Sequence, residues 1–127
     1  MLLKNKFFKV DSSELSDATH AVYHVTLLAD CDCYRGHFPG KPVSPGVCNI
    51  EMIKECAELL IGKDLLLTAI KQCRLTAVAS PAVCPQVDVT ISAEEAENGY
   101  TVTGLIADSK TSYMEFKGTL SFPLSSI

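Results

Sequence analysis

Residues 36–46 read GHFPGKPVSPG, which sets one imidazole, His37, among glycines and prolines and leads into a helical pattern carrying Glu51. A neutral imidazole near pH 7 accepts a proton, so His37 suits a general base. The free amides at a helix start carry partial positive charge and can polarise a carbonyl or hold an enolate oxygen. Gly46 brings such an amide close to a ligand with no side chain in the way. Glu51, about one and a half turns into the helix, can act as the complementary acid or hold a reacting hydroxyl or water. Together these groups suit removal of a proton beside a carbonyl.

Two plainer readings stand beside that one. Glu51, Lys54, Glu55 and Glu58 recur at helical spacing and also fit a solvated stripe. An imidazole in a loop rich in glycine and proline also serves to bond backbone and pin the turn.

The elements that must position these residues follow from periodicity. HAVYHVTLL alternates so that Ala21, Tyr23, Val25 and Leu27 share one face, which predicts a half-buried strand over 20–28 with His20 and His24 on its surface. An earlier strand is expected near residues 5–11, with SSELSDAT as the turn between the two. Ser44 reads as the helix N-cap and Pro45 as its first residue. Ile50, Ile53, Ala57, Leu60 and Ile61 recur at helical spacing, and Gly62 reads as the C-terminal cap. Met52, Cys56 and Leu59 make that helix apolar on more than one side, so a curled sheet is expected to wrap it. Four further strands are predicted at 66–75, 86–93, 100–107 and 112–122. Two strands, one long helix and about four strands make an α+β domain with an antiparallel sheet packed on a helix.

The chain's 127 residues suit a single domain over 1–127, and 47% hydrophobic content can build its core. A net charge of −4 argues against a nucleic-acid binder, which needs a basic face. No apolar run approaches the roughly 18 residues needed to span a bilayer, and MLLKNKFFKVDSS lacks a secretory core, so a cytoplasmic location is expected. The cysteines at 31, 33, 48, 56, 73 and 84 are therefore read as reduced thiols. The CDC at 31–33, with His20 and His24 upstream, has tighter spacing than zinc ligand pairs use, and no metal site is expected. Cys48 and Cys56 read as small apolar fillers in the helix.

The segment GHFPGKPVSPGVCNIE resembles the active-site segment of β-hydroxyacyl-acyl-carrier-protein dehydratases of the hot-dog fold. The similarity runs from about Cys33 through Phe122, with only the strand pattern matching before it. The resemblance implies a curled antiparallel sheet of about six strands around one long central helix. It also implies that subunits pair edge to edge as a homodimer or a larger dimer-based assembly. It makes His37 the catalytic histidine, Glu51 the catalytic acid from the partner chain, and Gly46 the amide that binds the thioester carbonyl. The implied reaction is reversible loss of water from a 3-hydroxyacyl thioester to give a trans-2-enoyl thioester, with no metal or redox cofactor. The thioester is carried by acyl carrier protein or coenzyme A, in fatty-acid or related acyl-chain synthesis. Arg74, with Lys71 or Lys110, is the basic surface for an acidic carrier.

The sequence departs from that family in two places. Ser44 stands where a larger apolar side chain is usual; as an N-cap it would occupy the Val47 amide, leave Gly46 to substrate and alter the acyl tunnel. Asn49, Lys54, Glu55 and Glu58 replace the usual apolar, small and amide side chains of the mid-helix. Two alternatives therefore remain: a hot-dog thioesterase using Glu51 on water, and a non-catalytic acyl-thioester-binding or structural subunit.

Overall fold

The computed structural model describes residues 2–34 and 44–123. Among the described residues, strands β1 (Phe8–Asp17), β2 (His20–Leu27), β3 (Leu66–Leu75), β4 (Gln86–Ala96), β5 (Gly99–Ala107) and β6 (Ser112–Ser121) accompany the helix α1 (Gly46–Ile61). They form one sheet in the order β1-β2-β4-β5-β6-β3, every neighbouring pair antiparallel. A single 3-10 turn, Asp32–Tyr34, precedes the segment that carries His37. His37 itself lies outside the described residues.

The alternation read in β2 holds, with Ala21, Tyr23, Val25 and Leu27 all buried. Val87, Val89 and Ile91 of β4, Val102 and Ile106 of β5, and Met114, Phe116 and Leu120 of β6 complete the inward face. α1 lies across β2, β4, β5 and β6 and buries Met52, Ile53, Cys56 and Ala57 against them. Gly104 sets the closeness of that approach: a Cβ there would stand 2.6 Å from Ile53 Cγ2. This close packing seats the helix against β5.

Two sequence expectations are corrected. The first strand is not confined to 5–11, because SSELSD continues it to Asp17 and only Asp17–His20 turns. Serine and aspartate are poor strand formers, but β1 is an edge strand exposed over most of its length, so pairing with β2 decides. Register shifts after Val10 and after Leu15 absorb the misfit. Asp17 then closes the turn by accepting from the Thr19 N–H at 2.8 Å.

The second correction concerns the helix start. Pro45, not Ser44, is the N-cap residue, and no side chain caps the helix. Ser44 is buried; its N–H donates to the Ala79 carbonyl at 2.8 Å and its hydroxyl lies 3.0 Å from the Tyr34 hydroxyl. The other end follows expectation: Gly62 takes φ 80° and donates to the Glu58 carbonyl at 2.8 Å.

Candidate functional site

The start of α1 offers its first amides. The Pro45 carbonyl accepts from Cys48 N–H at 3.0 Å and Asn49 N–H at 3.1 Å. The N–H groups of Gly46 and Val47 donate to no described residue. Because Ser44 turns its hydroxyl to Tyr34, it does not compete for the Val47 amide, contrary to the sequence reading. Val47 itself projects outward, with 74% of its surface exposed. Among the described residues, nothing requires glycine at 46. Its φ is not positive, and a Cβ would make only an ordinary 3.7 Å contact with Leu75 Cδ1. A bare backbone at this point leaves room for something outside the chain to approach.

Ser44 and Asn49, both buried, line a pocket of about 210 Å³ with Leu75 and residues 76–79. Near the helix start, the Cys33 thiol meets those of Cys31 and Cys48. Burial pushes the Cys33 and Cys48 thiols up, away from the reactive thiolate. Burial likewise holds the Tyr34 hydroxyl up at about 12, although its bond to Ser44 acts the other way.

Glu51 sits one turn beyond these amides, its side chain 24% exposed. Its Oε2 is enclosed and has no hydrogen-bond partner among the described residues. The nearest cation is Lys54, whose Nζ lies 3.5 Å from Glu51 Oε2 and also 3.5 Å from Glu58 Oε1. Burial, followed by a hydrogen bond with Glu55, pushes the Glu51 carboxyl up to about 7, and Lys54 only partly offsets this. A carboxyl poised there can donate or accept a proton near neutrality.

The solvated stripe is ruled out by the burial of its members. Glu55 is fully buried and Glu58 is 6% exposed, while Lys54 is 19% exposed. Both buried carboxyls anchor irregular backbone. Glu55 accepts from the Leu3 and Lys4 amides, and Glu58 Oε2 accepts from Leu65 N–H at 2.8 Å. Sequence spacing places these residues on the helix but misses their partners, which are distant or lie in irregular segments. The one usable signal is the mismatch of acids on a helix otherwise apolar all round.

The basic residues are placed at the far edge of the sheet. Arg74 and Lys71 are exposed on β3, and Arg74 Nη1 lies 3.8 Å from Glu115 Oε2 of β6. His20 and His24 are strand-surface residues as read; His24 is held between Asp88 Oδ1 at 2.6 Å and Glu14 Oε2 at 2.7 Å. Among the described residues, no group of three or more His, Cys, Asp or Glu side chains is arranged to hold a metal ion.

Comparison with known proteins decides the relationship. The model of the ApeI-like family, described as ApeI dehydratase, matches residues 13–114. The chain belongs to the ApeI-like dehydratase family. This ApeI-like chain is also 29% identical over 114 residues to the 3-hydroxyacyl-acyl-carrier-protein dehydratase FabZ of Pediococcus pentosaceus, covering 84% of this chain and 75% of the relative. It is 34% identical over 80 residues to FabZ of Levilactobacillus brevis, covering 58% of this chain and 53% of that protein. The chain thus spans about half the length of the Levilactobacillus brevis relative. Among solved structures, a chain of the dehydratase heterocomplex ApeI:P from Xenorhabdus doucetiae superposes with a TM-score of 0.66 at 19% identity, covering 88% of this chain and 96% of that one. An uncharacterized protein from Erwinia carotovora superposes with a TM-score of 0.61 at 16% identity, covering 89% of this chain and 91% of that one. These superpositions establish the hot-dog fold, with the sheet curled about α1. Among the described residues, no helix is long and apolar enough to cross a membrane.

Proposed function

We propose that this chain is a hydro-lyase that reversibly dehydrates 3-hydroxyacyl thioesters, carried on acyl carrier protein or coenzyme A, to trans-2-enoyl thioesters in acyl-chain synthesis. The observation that carries this reading is Glu51: a carboxyl whose enclosed Oε2 has no hydrogen-bond partner among the described residues, held up at about 7, on the helix whose Gly46 amide donates to no described residue. In the dehydration direction His37 removes the proton from C2. The Gly46 amide, with Val47 next to it and Ser44 lining the adjoining pocket, stabilises negative charge on the thioester oxygen. Glu51, protonated, passes its proton to the departing C3 hydroxyl. An α-proton is weakly acidic, so the oxygen-side donor is essential; losing one such donor costs on the order of a hundredfold or more in rate.

The site is completed by a second chain in this reading. Among the described residues β3 is an edge strand paired with β6 alone, and Leu66, Ile70 and Leu75 lie exposed along it at 50–63%. An open edge with apolar side chains favours pairing with another strand. Such a dimer sets His37 of one protomer towards Glu51 of the other. The partner is a second copy of this chain, or a related subunit as in the heterocomplex containing the structural neighbour. Arg74 and Lys71, near the end of that edge, supply positive charge for an acidic carrier in the cytoplasm. The reaction as written needs neither metal nor redox cofactor.

Incubating the purified protein with an enoyl thioester, while following the conjugated chromophore and free thiol, tests the reading. Loss of chromophore without thiol release is expected. Thiol release identifies a thioesterase, and no turnover with carrier-linked and coenzyme-A-linked substrates identifies a binding subunit.

A further inference from the structure

Glu55 lies one helical turn beyond Glu51, on the same side of α1. It is completely buried. Its Oε1 accepts from Leu3 N–H at 3.1 Å and Lys4 N–H at 2.8 Å, and its Oε2 accepts from Leu3 N–H at 3.0 Å. The N-terminal segment that supplies these amides is itself fixed. Phe7 stacks on Tyr34 with ring centroids 6.1 Å apart, and the Phe7 carbonyl accepts from Leu28 N–H at 2.9 Å. Both oxygens of Glu55 are thus committed as acceptors to backbone donors. Backbone N–H groups can only donate, so groups aimed at a carboxylate favour its charged form.

The neighbouring carboxyl has the opposite surroundings. Glu51 has an enclosed Oε2 with no hydrogen-bond partner among the described residues. Two adjacent carboxyls shielded from water do not both ionise cheaply. The only opposing charge on Glu51 among the described residues is Lys54, shared at 3.5 Å with Glu58. Cys48 and Cys33, whose thiols burial pushes up, lie in the same region.

We propose that Glu55, tied to the Leu3 and Lys4 amides, is a positioning residue that keeps the proton of the carboxyl pair on Glu51, the form in which Glu51 can protonate a leaving hydroxyl. This inference rests on Glu51 being the acid of the proposed dehydration. The N-terminal segment thereby takes part in the site without touching substrate. The raised Glu51 carboxyl agrees with this placement, with burial as the larger cause and Glu55 the next.

The test combines infrared titration of the full-length protein with its pH–rate profile in the dehydration direction, using a 3-hydroxyacyl thioester. At pH 6 a protonated-carboxyl band is expected in the parent, absent in Glu51→Gln and weakened in Glu55→Gln, where the glutamine oxygen still accepts a strap amide. The alkaline limb of the rate profile is expected to move about one pH unit lower in Glu55→Gln, a roughly tenfold loss above both limbs. In Lys54→Met, which leaves the strap bonds alone, it is expected to move higher. A band that survives Glu51→Gln, or alkaline limbs that coincide in parent and Glu55→Gln, overturns the inference. If the band follows the expected pattern but Glu51→Gln still dehydrates at the parent rate, the proton placement stands and the catalytic reading of Glu51 is overturned.

Discussion

The Tyr34 hydroxyl lies 3.0 Å from the Ser44 hydroxyl, a bond spanning ten positions that joins the two ends of the segment bearing His37. Both side chains sit on fixed elements: Tyr34 ends the 3-10 turn, and the Ser44 amide is bonded to the Ala79 carbonyl. The bond ties Ser44 to the turn that ends at Tyr34, a structural role that its place before a helix does not suggest.

Ser44→Ala is therefore expected to lower stability by about 1 kcal/mol, the ordinary worth of such a bond, measured by urea unfolding. Ser44→Met intrudes on the pocket of about 210 Å³ and is expected to shift acyl chain-length preference to shorter substrates. An unchanged preference across a substrate series speaks against this pocket receiving the acyl chain.

Gly46→Ala separates fold from function. Among the described residues a methyl group there meets only Leu75 Cδ1 at 3.7 Å, so the melting temperature should be unchanged or slightly raised, alanine being the better helix former. Misplacing a substrate by about 1 Å can cost on the order of a hundredfold, and a loss of that size in kcat/KM is expected. A variant that is stable and fully active removes Gly46 from the site.

Glu51 also leaves a mark on stability. Its carboxyl rises on folding from 4.5 to about 7, with burial the main cause, so the folded state binds the extra proton. The contribution is fully present below pH 4.5 and is lost as pH rises through about 7. Glu51→Gln, which never ionises, should gain on the order of 2 kcal/mol over the parent between pH 4 and pH 8. Paired urea titrations at those two pH values check this, and a constant difference would count against a strained ionised Glu51.

His24 carries a linkage that rests on different contacts. Its bonds to Asp88, the larger effect, and to Glu14 raise the imidazole above 6.5. The stabilisation is complete below 6.5 and fades as pH rises through the folded-state value. The stability difference between the parent and His24→Gln should therefore shrink on the alkaline side, as measured by thermal unfolding from pH 6 to pH 9. A difference that widens with pH contradicts an imidazolium clamped by the two acids.

Much of this fold is legible in the sequence because its signals are local. The alternation in β2 and the glycine at 62 each declare themselves within a few residues. β1 departs from its local signal where serines and an aspartate meet an edge strand, since its pairing with β2 outweighs residue preference. The N-cap differs from expectation because Ser44 has two competing partners, and the tertiary one, Tyr34, wins over the helix amides. Glu51 stands out through its distance from Gly46, whereas Glu55 looks like surface charge. Its partners, Leu3 and Lys4, are more than fifty positions away, and no periodicity connects them.

Dehydration of a 3-hydroxyacyl thioester by the parent, His37→Ala and Glu51→Gln proteins, followed by appearance of the enoyl chromophore, tests the central claim most directly. The parent should turn over, and each substitution should reduce kcat/KM at least a hundredfold, a loss on the order of general acid–base catalysis, with the fold intact by circular dichroism. Parent-level turnover in both variants would contradict the assignment of His37 and Glu51 as the base and acid of this site.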